Sequence, residues 1–114
     1  MHIDFQDLDD QLRHVQLVGR MDSAGVDQIS TKLTALAASA ANRIVLDLRG
    51  VEFLASLGIR LILQNAKAQM ARGGRMVLLV ADKSTVADTL QTTGIPSLVP
   101  MFTEPADADT AALA

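Results

Sequence analysis

Ile3 and Phe5 alternate with polar neighbours, and after the turn-forming run Leu8-Asp9-Asp10-Gln11 a second apolar-rich run extends from Leu12 to Val18. Period-two alternation of this kind predicts an opening antiparallel pair of strands. Val15 and Leu17 then share one face, which leaves His14, Gln16 and Val18 on the other, so His14 reads as a half-exposed strand residue rather than a catalytic base. From Ser23 the period lengthens, with Val26, Ile29, Leu33, Leu36 and Ala37 stepping by three and four. That spacing predicts an amphipathic helix ending near Asn42, with Asp22 or Ser23 available as N-cap. Arg43-Ile44-Val45-Leu46-Asp47-Leu48 is a branched apolar run of the kind found in strands covered on both faces, and Arg49-Gly50 is expected to break it.

A second helical stripe, Ile59, Ile62, Leu63, Ala66 and Met70, runs within Ser56 to Arg72, and Gly73-Gly74 supplies a left-handed stop. Met76 to Val80 repeats the buried-strand pattern. Ser84 to Thr92 predicts a shorter helix carrying Val86 and Leu90 and closed by Gly94, and Leu98 to Phe102 an edge strand, since Pro100 has no N–H to give a central ladder. The order β-β-α-β-α-β-α-β predicts an α/β fold with a single mixed β-sheet and helices packed against it, spanning residues 1–102. Residues 103–114, rich in Ala, Asp and Thr, are expected to be a flexible C-terminal tail.

The chain has 114 residues, 49% apolar and 20% charged, which is one domain with a real core. Cysteine is absent, and His2 and His14 are too few and too separated to suggest a metal cluster, so no metal or other cofactor is implied. Net charge is −3, yet Glu104, Asp107 and Asp109 all follow Phe102; residues 1–102 balance ten basic against ten acidic side chains. That leaves no basic footprint for nucleic acid, and three Phe with no Tyr or Trp give little stacking surface. The amino terminus is acidic where a signal peptide is basic, and no apolar run reaches the roughly 18 residues of a membrane span. A cytoplasmic protein without direct membrane insertion is expected.

Enzyme motifs are missing. Gly73-Gly74 lies between a helix and a strand, the wrong end of a helix to cradle phosphate. No GxSxG elbow surrounds Ser56, so a triad assembled from Ser56, His14 and Asp47 is arbitrary. Asp9-Asp10 with Asp47 differs from a phospho-receiver pocket, because Asp47 is followed by Leu48 within its strand and the acidic pair sits in a hairpin turn. Ser56 is more informative. It is expected to cap the second helix by accepting from the N–H groups of residues 58 and 59. A phosphate esterified there meets the positive end of the helix dipole, so phosphorylation is compatible with the fold and acts on whatever docks at that point.

The stretch from Ile44 to Ile59, IVLDLRGVEFLASLGI, resembles the signature of STAS domains, the family of anti-sigma factor antagonists: a strand ending in an Asp-Leu pair, an aromatic residue, then a Ser/Thr-rich segment with a glycine at the start of a helix. Gly19-Arg20-Met21-Asp22, Gly73-Gly74 and Thr93-Gly94-Ile95 agree in order and spacing, so the resemblance spans residues 3–102. It implies a partner switch without enzymatic activity. Family members bind an anti-sigma factor, usually a serine kinase, and so free the sigma factor; the kinase phosphorylates the first motif serine and a serine phosphatase reverses this. Carried over by position, the acceptor is Ser56, and Gly58 is the motif glycine, expected to allow close approach of a partner backbone. Ala55 stands where the family usually has Asp, and Leu57 replaces the second Ser/Thr. Ala55, Leu57, Gly58, Arg60, Gln64 and Lys67 are the expected partner contacts; a solvated polar face accounts equally for the last three. The same resemblance also admits an accessory subunit of a membrane transporter or signalling complex, without a phosphorylation cycle.

Overall fold

The computed structural model describes residues 1–39 and 42–114. Two strands open the chain, β1 (His2–Asp7) and β2 (Leu12–Met21), followed by α1 (Ser23–Ala38), β3 (Arg43–Leu54), α2 (Ser56–Ala71), β4 (Arg75–Leu79) and α3 (Thr85–Thr92). A 3-10 turn at Ile95–Ser97, β5 (Met101–Phe102) and α4 (Pro105–Leu113) complete it. The five strands form one sheet in the order β1-β2-β3-β4-β5, with β1 antiparallel to β2 and every other pair parallel. This is the mixed α/β sheet expected from the sequence.

Helices α1, α2 and α3 cover one face, where Ile29, Leu33, Ile62, Val86 and Leu90 pack against Val15, Leu17, Ile44, Leu46 and Leu78. Asp22 caps α1 by accepting from the Gly25 N–H at 2.9 Å, and Ser84 caps α3 through Ala87. Helix α1 has Ser39 at its C-cap; the expected end near Asn42 involves residues 40 and 41, which lie outside the described residues. Arg13, buried beneath this layer, ties the helix to the sheet. Its guanidinium donates to Asp7 at 2.6 and 3.0 Å, to the Leu36 carbonyl at 2.9 Å and to the Ser39 hydroxyl, with the Phe5 ring 4.6 Å away.

Three expectations need correction. Strand β3 does not break at Arg49-Gly50 but continues to Leu54. Its register against β2 shifts twice, between Gln16 and Val18 and between Gly19 and Arg20, and Gly50 passes so near Val18 that a Cβ would sit 2.9 Å from its Cγ2. Leu98 to Pro100 contribute no strand residues: β5 has only two, although the Pro100 carbonyl accepts from Leu78 N at 2.8 Å. Residues 105–113, expected as a loose tail, form α4 on the second face of the sheet. Ala108 and Ala112 are fully buried there against Leu12, Val45, Val77 and Leu79. Alanines one turn apart let the helix lie close to the strands, and His14 Nε2 meets Asp109 Oδ1 at 2.6 Å while Arg75 donates to the Ala111 carbonyl at 3.0 Å.

Three stability predictions follow from these contacts. Replacing Arg13 by Met removes its bonds to the end of α1 and should lower unfolding free energy by about 2 kcal/mol in a urea titration. The hydrogen bond from Arg13 holds the Asp7 carboxyl below its ordinary 3.8, with the Arg13 charge acting in the same direction against desolvation. A depressed folded-state value means that this contribution is fully present above pH 3.8 and is lost progressively below it, as the pH falls through the lower folded-state value, so Asp7→Asn should flatten that part of the acid-unfolding curve. On the other face, Ala108→Asp places an unpaired carboxylate against Val45 and Val77 and should destabilise the chain by at least about 2 kcal/mol.

Candidate functional site

Parallel strands deliver their loops to one end of the sheet, and α2 begins there, directly after β3. Ala55 is extended, at φ −88° and ψ 170°, and its N–H donates to the Met21 carbonyl at 3.0 Å, which locks the loop onto the end of β2. Its own carbonyl accepts from Gly58 N at 2.9 Å and Ile59 N at 3.1 Å to open the helix. Gly58 is buried: a Cβ would lie 2.7 Å from Leu54 Cδ1 and 3.0 Å from Met21 Cβ. The close approach that this glycine permits is therefore to its own core and not to a partner, which removes it from the expected contact surface.

From that fixed point the helical period places every other candidate. At about 100° per residue, Ser56 and Arg60 each lie about 160° from Gly58 and Lys67 lies on the opposite side, while Leu61, Ile62, Asn65 and Gln69 return inward. Burial agrees: Ser56, Leu57, Arg60, Gln64 and Lys67 are exposed and Ala55 is half-buried. The buried stripe is rotated from the expected one, because Met70 is 64% exposed while Asn65 and Gln69 are buried. Their amides are satisfied by backbone carbonyls, Asn65 donating to Leu61 at 3.0 Å and Gln69 to Asn42 at 2.9 Å.

Ser56 is not the cap. The N-cap position is Ala55, which has no side chain to accept a hydrogen bond, and Ser56 is the first helical residue. The first turn of α2 also contains no acidic residue, so its positive end is uncompensated. The opposite end is closed by a Schellman arrangement, with Gly73 at φ +79° donating to Met70 and Gly74 to Gln69.

Around Ser56 lie exposed apolar side chains and a paired arginine. Leu57 is 43% exposed, and Phe53, 41% exposed, carries the Arg20 guanidinium 4.5 Å from its ring centre. Arg20 in turn lies 3.6 Å from the Asp22 carboxylate, which the Gly25 N–H and this cation hold below the ordinary acidity range. The Phe53–Arg20 stack was not anticipated, because the predicted break at Gly50 placed Phe53 in a loop instead of in register with Arg20. Gln64 lines a shallow groove between α2 and α1 with Ser30, Thr31 and Thr34. His14 and Asp47 do not meet Ser56: His14 pairs with Asp109, and Asp47, buried, is held by Arg49 at 2.9 and 3.0 Å.

The family model described as "STAS domain" matches residues 6–108. Among curated proteins none matches this chain. The structure of the anti-sigma factor antagonist SpoIIAA in its unphosphorylated form superposes with a TM-score of 0.76 at 23% identity, covering 96% of each chain, and the phosphorylated form from Bacillus with a TM-score of 0.70. An anti-sigma factor antagonist from Mycobacterium paratuberculosis reaches 0.82 at 22% identity, covering 99% of this chain and 94% of that one. The murine Slc26a9 anion transporter gives 0.74 at 18% identity, but the match covers 91% of this chain and only 18% of the transporter. These likenesses fix the fold. No helix among the described residues is long and apolar enough to cross a membrane.

The uncapped helix start generates a prediction. Ala55 already has the extended backbone of an N-cap, so Ala55→Asp should raise unfolding free energy by about 1 kcal/mol. Ser56→Ala should stay within about 0.5 kcal/mol of wild type, since the hydroxyl caps nothing. Paired denaturant titrations distinguish these outcomes; a large loss for Ser56→Ala would show that the hydroxyl serves the fold.

Proposed function

Because the chain belongs to the STAS domain family, we propose that it acts as an anti-sigma factor antagonist, a partner-switching module that binds an anti-sigma factor with serine kinase activity and is released from it by phosphorylation of Ser56. The observation that carries this reading is the placement of Ser56: exposed, on the first helical turn, at the end of a backbone anchored by Ala55 and seated by Gly58. A hydroxyl so placed is accessible to a kinase while the surface beneath it stays rigid. The module is proposed to work in the cytoplasm, with a serine phosphatase resetting it and no catalysis of its own.

The geometry supplies a mechanism for release. In the unmodified state the docking surface consists of Leu57, Phe53 and the neutral Ser56, flanked by Arg20 and Arg60, which suits an apolar, acid-rimmed partner. A phosphoryl group adds a charge of about −1.5 to −2. Its own molecule accommodates this at the positive end of α2, whereas an acidic rim opposite it is repelled. Arg60, Gln64 and Lys67 extend the contact along the exposed side of the helix.

Captured on immobilised protein, the partner should be identified by mass spectrometry as a serine kinase of the anti-sigma type. With that kinase and ATP the protein should gain one phosphate, and Ser56→Ala should abolish the gain while leaving binding intact. Ser56→Asp should weaken binding at least tenfold, about 1.4 kcal/mol. Equal affinity of Ser56→Asp and wild type in calorimetric titration counts against the switch.

A further inference from the structure

The end of the sheet opposite Ser56 carries features that the switch does not use. Arg43 and Arg75 are Cα partners on adjacent parallel strands at the amino ends of β3 and β4, two like charges side by side. Neither forms an ion pair with a carboxylate among the described residues; the Arg75 side chain donates to the Ala111 carbonyl of α4. Both line a cleft of about 450 Å³ that also includes Met70 and Leu98, the two most exposed large apolar side chains among the described residues, at 64% and 60%. Such a surface fits an acidic segment with an apolar anchor.

The chain itself contains that segment at the same end. The β1–β2 turn presents Leu8, 44% exposed, between Asp7 and Asp9-Asp10, and Gln11 accepts from Arg43 N at 2.9 Å, which sets the turn beside the start of β3. Asp9 folds the turn by accepting from Gln11 N and Leu12 N, leaving Leu8 and Asp10 to project. The turn belongs to the β1–β2 side of the sheet and the cleft to the β4–β5 side. A two-fold axis perpendicular to the sheet, passing between them at this end, sets each turn against the other copy's cleft, so the contact closes on itself.

We propose that two copies of this chain associate end to end through this surface, Leu8 and Asp10 of each copy meeting the Met70, Leu98, Arg43 and Arg75 surface of the other. The association leaves both Ser56 sites free at the far ends and does not depend on the function proposed for them.

The test is sedimentation of the full chain over a range of concentrations. Wild type should show a concentration-dependent dimer. Arg75→Glu and Asp10→Lys, each alone, should weaken it at least tenfold, and an equimolar mixture of the two should recover it, because the mixed pair has one native contact and one with both charges exchanged. Since Arg75 also touches α4, Met70→Glu provides a second cleft variant with no role in the fold and should weaken the dimer to a similar extent. Raised salt should loosen wild type. Wild type that stays monomeric up to about 0.5 mM, a dimer indifferent to these substitutions, or a mixture that fails to reassociate would each overturn the proposal.

Discussion

The start of α2 can lie across the ends of β2 and β3 only because residue 58 has no side chain. Met21 and Leu54 are buried on either side of it, and the space that a methyl group needs is already filled. Once Gly58 is seated, the helical period leaves no freedom in which side chains face outward: Ser56 and Arg60 must project, and Leu61, Ile62 and Asn65 must return to the core. The exposure of the serine is thus a consequence of packing three residues away. A surface set in this way is held by the chain's own packing.

Much of this was legible from residue pattern. Alternation in β1 and β2, the apolar runs of β3 and β4, Asp22 as one of two cap candidates for α1 and the glycine stop at Gly73 each express one strong local preference, and each appears where that preference puts it. The misplaced details are those where a tertiary contact overrides the local signal. Arg49-Gly50 has the composition of a strand end, but neighbouring β2 carries the ladder past it, and the glycine is required for close passage to Val18. The α2 stripe was set too far toward Met70, because Asn65 and Gln69 look like surface residues until their backbone partners are known. At the candidate site, Ser56 and its exposed neighbours on α2 were identifiable, whereas the role of Ala55 as cap position turned on a one-residue boundary, the least determined feature of any helix.

The C-terminal helix illustrates a different gap. The runs at Ile44–Leu48 and Met76–Val80 read as strands covered on both faces, and that alone demands a second layer. Three helices account for one face only, so residues 103–114 were the remaining source of the other. Their scarcity of large apolar side chains, with Leu113 the only one, argues against it. Val45, Val77 and Leu79 already fill that side of the sheet, however, and small side chains at 108 and 112 are what a close-lying helix requires. Poverty in bulky residues therefore reflected how near the layers lie, and not an absence of packing.

Under the proposed function, Ala55 bears on the electrostatics at Ser56 more than on stability. An aspartate at that position places a resident negative charge beside the first N–H groups, and phosphorylation of the adjacent serine then adds to an anion already present. With a methyl group there and no acidic residue in the first turn, the unmodified helix start has no carboxylate of its own, and nearby Asp22 is engaged by the Gly25 N–H and Arg20. Under the proposed reading, phosphoryl transfer to Ser56 reverses the sign of the local field instead of deepening it, and the incoming group competes with no carboxylate for the helix dipole. The same substitution removes a hydrogen-bonded cap, so the first turn is held instead by the Ala55–Met21 backbone bond and by the seat of Gly58. An alanine at this position therefore leaves the serine's position intact, and under the proposed function it enlarges the contrast on phosphorylation that an acid-rimmed partner would sense.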